Sequence, residues 1–405
     1  MEIGFVSFDQ EALNRANKVM QLLQGQGAVD ELGLGRIRDA FSNMMFPGMS
    51  TLQTRAKYFL IMPALYSFLE RMPIKDARDA RATVREYEIG LTHRLKEGSC
   101  ADDARGIIGS GQKGTGNQYV KYDPAYIYQV GLETYGLVRT KGNLYGLLAE
   151  RSRAFSNMPE RHYVEDEIES DSHESPGARQ LFLCCGENYN FGSKDPMSIA
   201  LTYKEASFLR RQIIKHTSGT FLGYLLESEL YQHVTRFDFE ALGDALVGNV
   251  PENLYHTYLL ARRFSRFANI LRLRYALLYD IAVGAEKAKE EEISFAELFA
   301  TYKEEFTPDA IGEIIRFISS SVTEETCKNF CQKAARMLTD GDLEGLDRLI
   351  VDREVEIKTL KRSKLKNAKE FEPGKPFETP KPMSFRWNGI VRNVLREIKE
   401  GLDNE

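Results

Sequence analysis

Residues 251–289 read PENLYHTYLLARRFSRFANILRLRYALLYDIAVGAEKAK, and their periodicity decides the fold class. Leu260, Phe264, Phe267, Leu271, Leu278 and Ile281 form a nearly continuous apolar stripe. Side chains spaced by three and four share one face of a 3.6-residue turn, so the pattern predicts one long helix with a buried side. Arg262, Arg263, Arg266, Arg272 and Arg274 decorate the same helix.

The same period extends outward in both directions. Toward the N-terminus, Leu13, Ala16, Met20 and Leu23 predict a helix with Ser7 or Asp9 as N-cap. Leu34, Ile37, Phe41 and Met44 predict a second, ended by a Pro47-Gly48 turn. Ser50 or Thr51 is the expected cap of a third, which carries Tyr58, Ile61, Leu65, Phe68 and Met72 and should kink at Pro63. A charged helix is expected from about Asp76 to Lys96, another from Asp123-Pro124 to Gly136, and another from Asn143 to about Phe155. Thr202 and Glu205 match a capping box ahead of an apolar run. Short amphipathic helices fill 294–350, and Trp387, Val391, Val394, Leu395 and Ile398 mark a terminal docking helix over about 385–402. QLFLCC (180–185) is the clearest strand candidate. The expected class is mainly α, a multi-module helical protein with at most a small strand component.

At 405 residues the chain should hold more than one unit. Residues 159–176, PERHYVEDEIESDSHESP, set seven acids against one arginine, too polar to offset ordering entropy by burial. They predict an acidic linker or exposed loop at 158–178, dividing a helical module at 1–157 from another at 179–350. A basic segment and docking helix follow at 351–405, with a proline-rich extended loop at 370–383. The five cysteines are too sparse for a disulfide framework, and core or surface thiols in a reducing cytosol are expected. The first twenty residues lack the pattern of a signal peptide. The longest apolar run, Tyr58 to Leu69, is too short to span a bilayer.

No familiar catalytic motif is complete. GSGQKGTG (109–116) offers Gly109, Gly111, Lys113 and Gly114 for phosphate contact, because glycine-loop N–H groups cradle phosphates. The lysine is displaced from the Walker spacing and no clear strand precedes it, which favours a connector. Asp123-Pro124-Ala125-Tyr126 lacks the second proline of the methyltransferase DPPY signature and reads as a helix start. Glu356-Ile357-Lys358 has the ExK spacing of restriction-like nucleases, with Asp342, Asp347 or Asp352 upstream, but recurs at Glu397-Ile398-Lys399 and lies in a helical pattern. The six histidines form no HxH or HExxH cluster, and neither a metal site nor a cofactor is expected. Whole-chain charge, −5, is uninformative. KTLKRSKLKNAK is not: Lys358, Lys361, Arg362, Lys364, Lys366 and Lys369 stand together without an acid, as a phosphate-tracking face would. The competing reading is that they pair with acids elsewhere or are simply solvated.

Several blocks resemble one family. They are IGFVSFDQEALNRANKVMQLL (3–23), VDELGLGRIRDAFSNMMFPGMSTLQTRAKYFL (29–60), GIIG with YDPAYIYQVGLETYGLVR (106–139), REVEIKTLKRSKLKN (353–367) and FRWNGIVRNVLREIKEGL (385–402). Together they resemble a bacterial family described only as domain of unknown function 6361, with FPGxSTxQTRAxYF the most specific part. The resemblance carries no activity and no catalytic residue. It implies a partner in genome-defence gene neighbourhoods, beside helicases or DNA-modifying proteins. The expected function is therefore an accessory factor in the cytoplasm that contacts DNA or a DNA-processing partner and no membrane. The alternatives are a metal-dependent nuclease whose site assembles in three dimensions, or a structural scaffold. Limited proteolysis should cut first within 159–176; earlier cutting elsewhere would remove the boundary placed there.

Overall fold

The computed structural model describes residues 30–111, 119–156, 180–322, 324–370 and 373–404. The expected helix at Leu13–Leu23, the acidic stretch 159–176, Lys113 and Gly114 lie outside them. Fifteen α-helices occur among the described residues, and no strand. In chain order they are α1 (Gly35–Met45), α2 (Tyr58–Leu69), α3 (Ala77–Glu97), α4 (Pro124–Thr134), α5 (Leu144–Ser156), α6 (Tyr203–Thr217), α7 (Phe221–Glu227), α8 (Tyr231–Val234), α9 (Gly243–Leu246), α10 (Glu252–Val283), α11 (Ala288–Tyr302), α12 (Pro308–Ile318), α13 (Glu325–Asp340), α14 (Leu343–Lys358) and α15 (Arg392–Asp403). None is long and apolar enough to cross a membrane. They group into two compact units that are not collinear with the sequence: 30–45 with 236–388, and 46–235 with 389–404.

The first unit is built on α10. Leu254, Tyr258, Leu260, Phe264, Phe267 and Leu271 are buried along it. Burying each such side chain is worth roughly 1.5–3 kcal/mol, which explains why an arginine-rich helix is held so firmly. The helix ends at Gly284, where φ of +73° gives the left-handed cap that glycine adopts without steric cost. Phe41 of α1 fits between Phe264, Phe317 and Phe385, with centroids 6.2, 6.2 and 5.8 Å away. The far end of the expected stripe is wrong: Ile281 is 62% exposed and Leu278 only half-buried, while Tyr275 and Tyr279 take the buried face. The proline-rich loop is the cause. Phe377 packs against both tyrosine rings, at 5.3 and 5.5 Å, and draws that face inward.

The second unit surrounds α2, which runs through Pro63 and is buried nearly all round. Neither Ser50 nor Thr51 caps it; the helix starts at Tyr58, after Lys57, with no side-chain cap. Other helices have side-chain caps, among them the expected Asp123 and Thr202–Glu205. Asp76 accepts the N–H groups of Arg78 and Asp79 at 2.8 and 2.9 Å. The Thr202–Glu205 capping box is complete. Asp123 caps α4 through Tyr126 N–H at 2.9 Å, and buried Glu88 adds a second carboxyl, accepting Ala125 N–H at 2.7 Å. QLFLCC makes one antiparallel bridge, Val138 to Phe182, rather than a strand. The terminal helix starts at Arg392, not Phe385. Phe385 and Arg386 take positive φ, and Gly389 departs from helical geometry.

Two helical glycines separate propensity from packing. A Cβ on Gly401 of α15 would lie 2.7 Å from Ala206 Cβ and 2.9 Å from Leu201 Cβ, whereas one on Gly90 of α3 would meet nothing within 4 Å. Gly90→Ala should raise stability by roughly 0.5–1 kcal/mol. Gly401→Ala should lower it by about 1–3 kcal/mol, because overpacking outweighs the same helical gain. Urea denaturation of both variants checks the opposite signs.

Candidate nucleic-acid interface

The basic stretch 358–369 follows α14 in the first unit, and a buried carboxylate shapes it. Glu354 has no exposed surface. Its oxygens accept from Tyr275 Oη (2.6 Å), Ser363 Oγ (2.6 Å), Lys364 N (2.9 Å), Leu365 N (3.1 Å) and Lys358 Nζ (3.2 Å). Two of these donors are main-chain groups of the turn itself, so the turn is pinned against α10 and α14. Glu31 then takes Lys364 Nζ at 2.9 Å and also pairs with Lys358. Burial, and after it the Lys364 charge, pushes the Lys358 ammonium down to about 8.

The six expected cations therefore separate. Lys358 is nearly buried, and Lys364 is half-buried against Glu31. Lys361, Arg362 and Lys366 are exposed, with no carboxylate in ion-pair range among the described residues. The Lys369 side chain lies outside the described residues. Most of the α10 arginines are paired. Arg274 forms a two-bond pair with Asp347 (2.6 and 2.7 Å), Arg263 reaches Glu313 (2.7 Å), and Arg266 reaches Glu240 (2.6 Å) and Glu305. Arg262 lies over the Tyr258 ring, 5.4 Å from its centroid. Arg272 reaches only a carbonyl, Lys381 O, at 2.8 Å.

The ExK carboxylates are similarly committed. Glu356 binds Arg353 at 2.6 Å, Asp347 binds Arg274, and Asp342 caps α14 through Gly345 N–H at 2.8 Å. No group of three or more His, Cys, Asp or Glu converges among the described residues. The glycine loop belongs to the second unit. Gly109, at φ +85°, is turned against the Tyr119 ring, and Gly111 stands in open space. Buried contacts fix the approach to it: Ile108 N–H donates to Tyr58 Oη (3.0 Å), and Thr92 Oγ1 donates to Ile108 O (2.9 Å).

Each unit also contains a cleft. In the first, a cavity of about 580 Å³ lies between residues 30–38, α10 and the segment 375–383. Main-chain bonds fasten that segment. Gly374 N–H reaches Val283 O (2.8 Å), Phe377 N–H reaches Asp280 Oδ1 (2.6 Å), and Ser265 Oγ donates to Met383 O (2.9 Å). Behind it, burial and then the Asp280 carboxylate push Glu291 up to about 7. In the second unit a more open cleft of about 440 Å³ is lined by Gln53, Thr54, Arg55, Arg105, Asn393 and Glu397. Glu397 Oε1 meets Arg55 Nε at 2.7 Å, and its Oε2 accepts Ala56 N–H at 2.7 Å. Burial pushes this carboxyl up to about 7 despite the opposing pull of Arg55 and the Ala56 N–H.

The second cleft is built on Thr51–Arg55, within the most distinctive block of the sequence. Residues 1–176 match the family of unknown function DUF6361. That bears out the resemblance over those residues, which include the Thr51–Arg55 corner and the glycine loop. Glu397, the basic turn and α10 lie beyond the matched part. No curated protein and no solved structure matches the chain. Sequence reasoning passed over Glu354 and Glu31, and met Glu397 only as the second ExK triplet. The four-residue step from Glu354 to Lys358 was the one local signal of pairing; Glu31 and Arg55 are distant in sequence from their partners.

Glu397 sets a pH dependence. Folding raises its pKa from 4.5 to about 7, so the folded protein holds this proton more tightly than the unfolded chain. The contribution is fully present below 4.5 and is lost as pH rises through 7, on the order of 2–3 kcal/mol. Glu397→Gln, which stays neutral, should be less sensitive to pH than the parent between 5 and 8. Denaturation curves at both ends of that range, parallel for the two proteins, would contradict this.

Proposed function

We propose that the protein is a non-catalytic accessory factor that holds the phosphate backbone of DNA on the turn bearing Lys361, Arg362 and Lys366, beside a DNA-processing partner. The observation that carries the reading is selective pairing. Lys358, Lys364, Arg263, Arg266, Arg274 and Arg353 are ion-paired, whereas these three exposed cations are not paired among the described residues. Glu354 holds them on a fixed turn, which lowers the ordering cost of binding. Contacts of this kind position a protein on nucleic acid without reading bases. Five free thiols suit a reducing cytosol. The genome-defence setting rests on the family resemblance alone.

Duplex binding titrated at several salt concentrations tests the reading. Each neutralised phosphate adds roughly 0.9 to the slope of log affinity against log salt. The triple variant Lys361→Gln, Arg362→Gln, Lys366→Gln should flatten the slope by about 2–3 and weaken binding alike on all sequences. Lys364 is left in place because it holds Glu31. An unchanged slope would remove the turn as a nucleic-acid surface, and magnesium-dependent cleavage of the duplex would overturn the non-catalytic assignment.

A further inference from the structure

Arg272 on α10 is a half-buried guanidinium that makes few hydrogen bonds. A guanidinium carries five N–H donors. Among the described residues Arg272 makes one hydrogen bond, from Nη1 to Lys381 O at 2.8 Å, and no ion pair. Burial opposes its charge most, Asp30 and Glu378 favour it and Arg38 opposes it, and its pKa falls below the ordinary arginine value. The cavity it faces, about 580 Å³, lies within the roughly 300–1,000 Å³ typical of small-molecule sites. Five cations and three carboxylates line this space, an excess of positive charge, with Arg38 also paired to Asp39 at 2.9 Å. Glu31 is held by Lys358 and Lys364, and Asp30 caps α1 through the N–H groups of Leu34 (3.1 Å) and Gly35. The residual field is positive. The rings of Tyr279 and Phe377 also line it, with Lys364 Nζ 5.0 Å from the Phe377 centroid.

We infer that this cleft binds a nucleotide, its phosphate taken by Arg272 with Arg38 and Lys364 and its base set against Tyr279 and Phe377. Arginine forms two-bond contacts to phosphate, and aromatic faces receive any base, so the lining offers a group for each half of one ligand. An anion beside Arg272 also adds negative charge to a space lined by more cations than carboxylates. This site shares Lys364 with the basic turn but uses none of Lys361, Arg362 and Lys366, and it does not require DNA to bind there.

Calorimetric titration with adenosine monophosphate tests the inference, with adenosine and inorganic phosphate as half-ligands. The monophosphate should bind at least tenfold more tightly than either half. Arg272→Gln should weaken it by tenfold or more, about 1.4 kcal/mol. Lys381→Gln, at an exposed position whose change leaves the fold intact, should weaken it about threefold, and the triple variant of the turn should bind normally. A 5′-phosphorylated oligonucleotide that competes would identify the ligand as a strand end; one that does not would identify a free nucleotide. Both outcomes support the site. Absence of heat and of any thermal-midpoint shift with millimolar nucleotide on the parent protein would overturn it, whatever the duplex experiment shows. Equal binding of the monophosphate and inorganic phosphate would overturn the assignment of a base.

Discussion

The first unit depends on one carboxylate excluded from water. Glu354 is wholly buried, and an unpaired charge there would cost several kcal/mol. Five donors surround it, and hydrogen bonds to a charged group contribute roughly 1.5–3 kcal/mol each. The donors come from α10, the end of α14 and the following turn, so the carboxylate is satisfied only when all three are assembled. An arrangement that separated these elements would leave the buried charge short of donors. The basic turn has a defined shape because an acid lies beneath it.

The second unit repeats the logic with different residues. Glu205, 1% exposed, accepts from Lys57 Nζ at 2.6 Å, from Tyr189 Oη at 2.7 Å and from Thr202 N at 2.8 Å. One side chain thus completes the cap of α6, neutralises a buried lysine before α2 and holds Tyr189 of the long connection between α5 and α6. Glu397 does the same for α15 against Arg55 and Ala56. Helices this amphipathic would pack in several registers on apolar contact alone, and the buried acids select among them.

Helix positions and two of the caps were legible in the sequence because they depend on neighbours within about four residues. Asp123 and the Thr202–Glu205 box show this. The two-unit grouping was not legible, because 30–45 packs with segments more than two hundred residues away and linear composition carries no trace of that. The end of the α10 stripe was misread for a related reason. Ile281 is as apolar as Leu271, yet the proline-rich segment covers the neighbouring tyrosine face instead. The basic run was legible as composition, but which of its members are neutralised depended on Glu31, more than three hundred residues away.

The segment 374–383 is held to α10 and to Lys287 ahead of α11 largely through its own peptide groups: Gly374 N–H, Phe377 N–H and carbonyl, and the carbonyls of Lys381 and Met383. Those anchors are indifferent to most side chains. Residues such as Glu378, Thr379 and Lys381 can drift by mutation while the path of the chain stays the same. One wall of the first unit's cleft is thus free to change its chemistry without a folding penalty. Homologues sharing this architecture are free to diverge in what they accept there, and a designer could retune the wall by the same route.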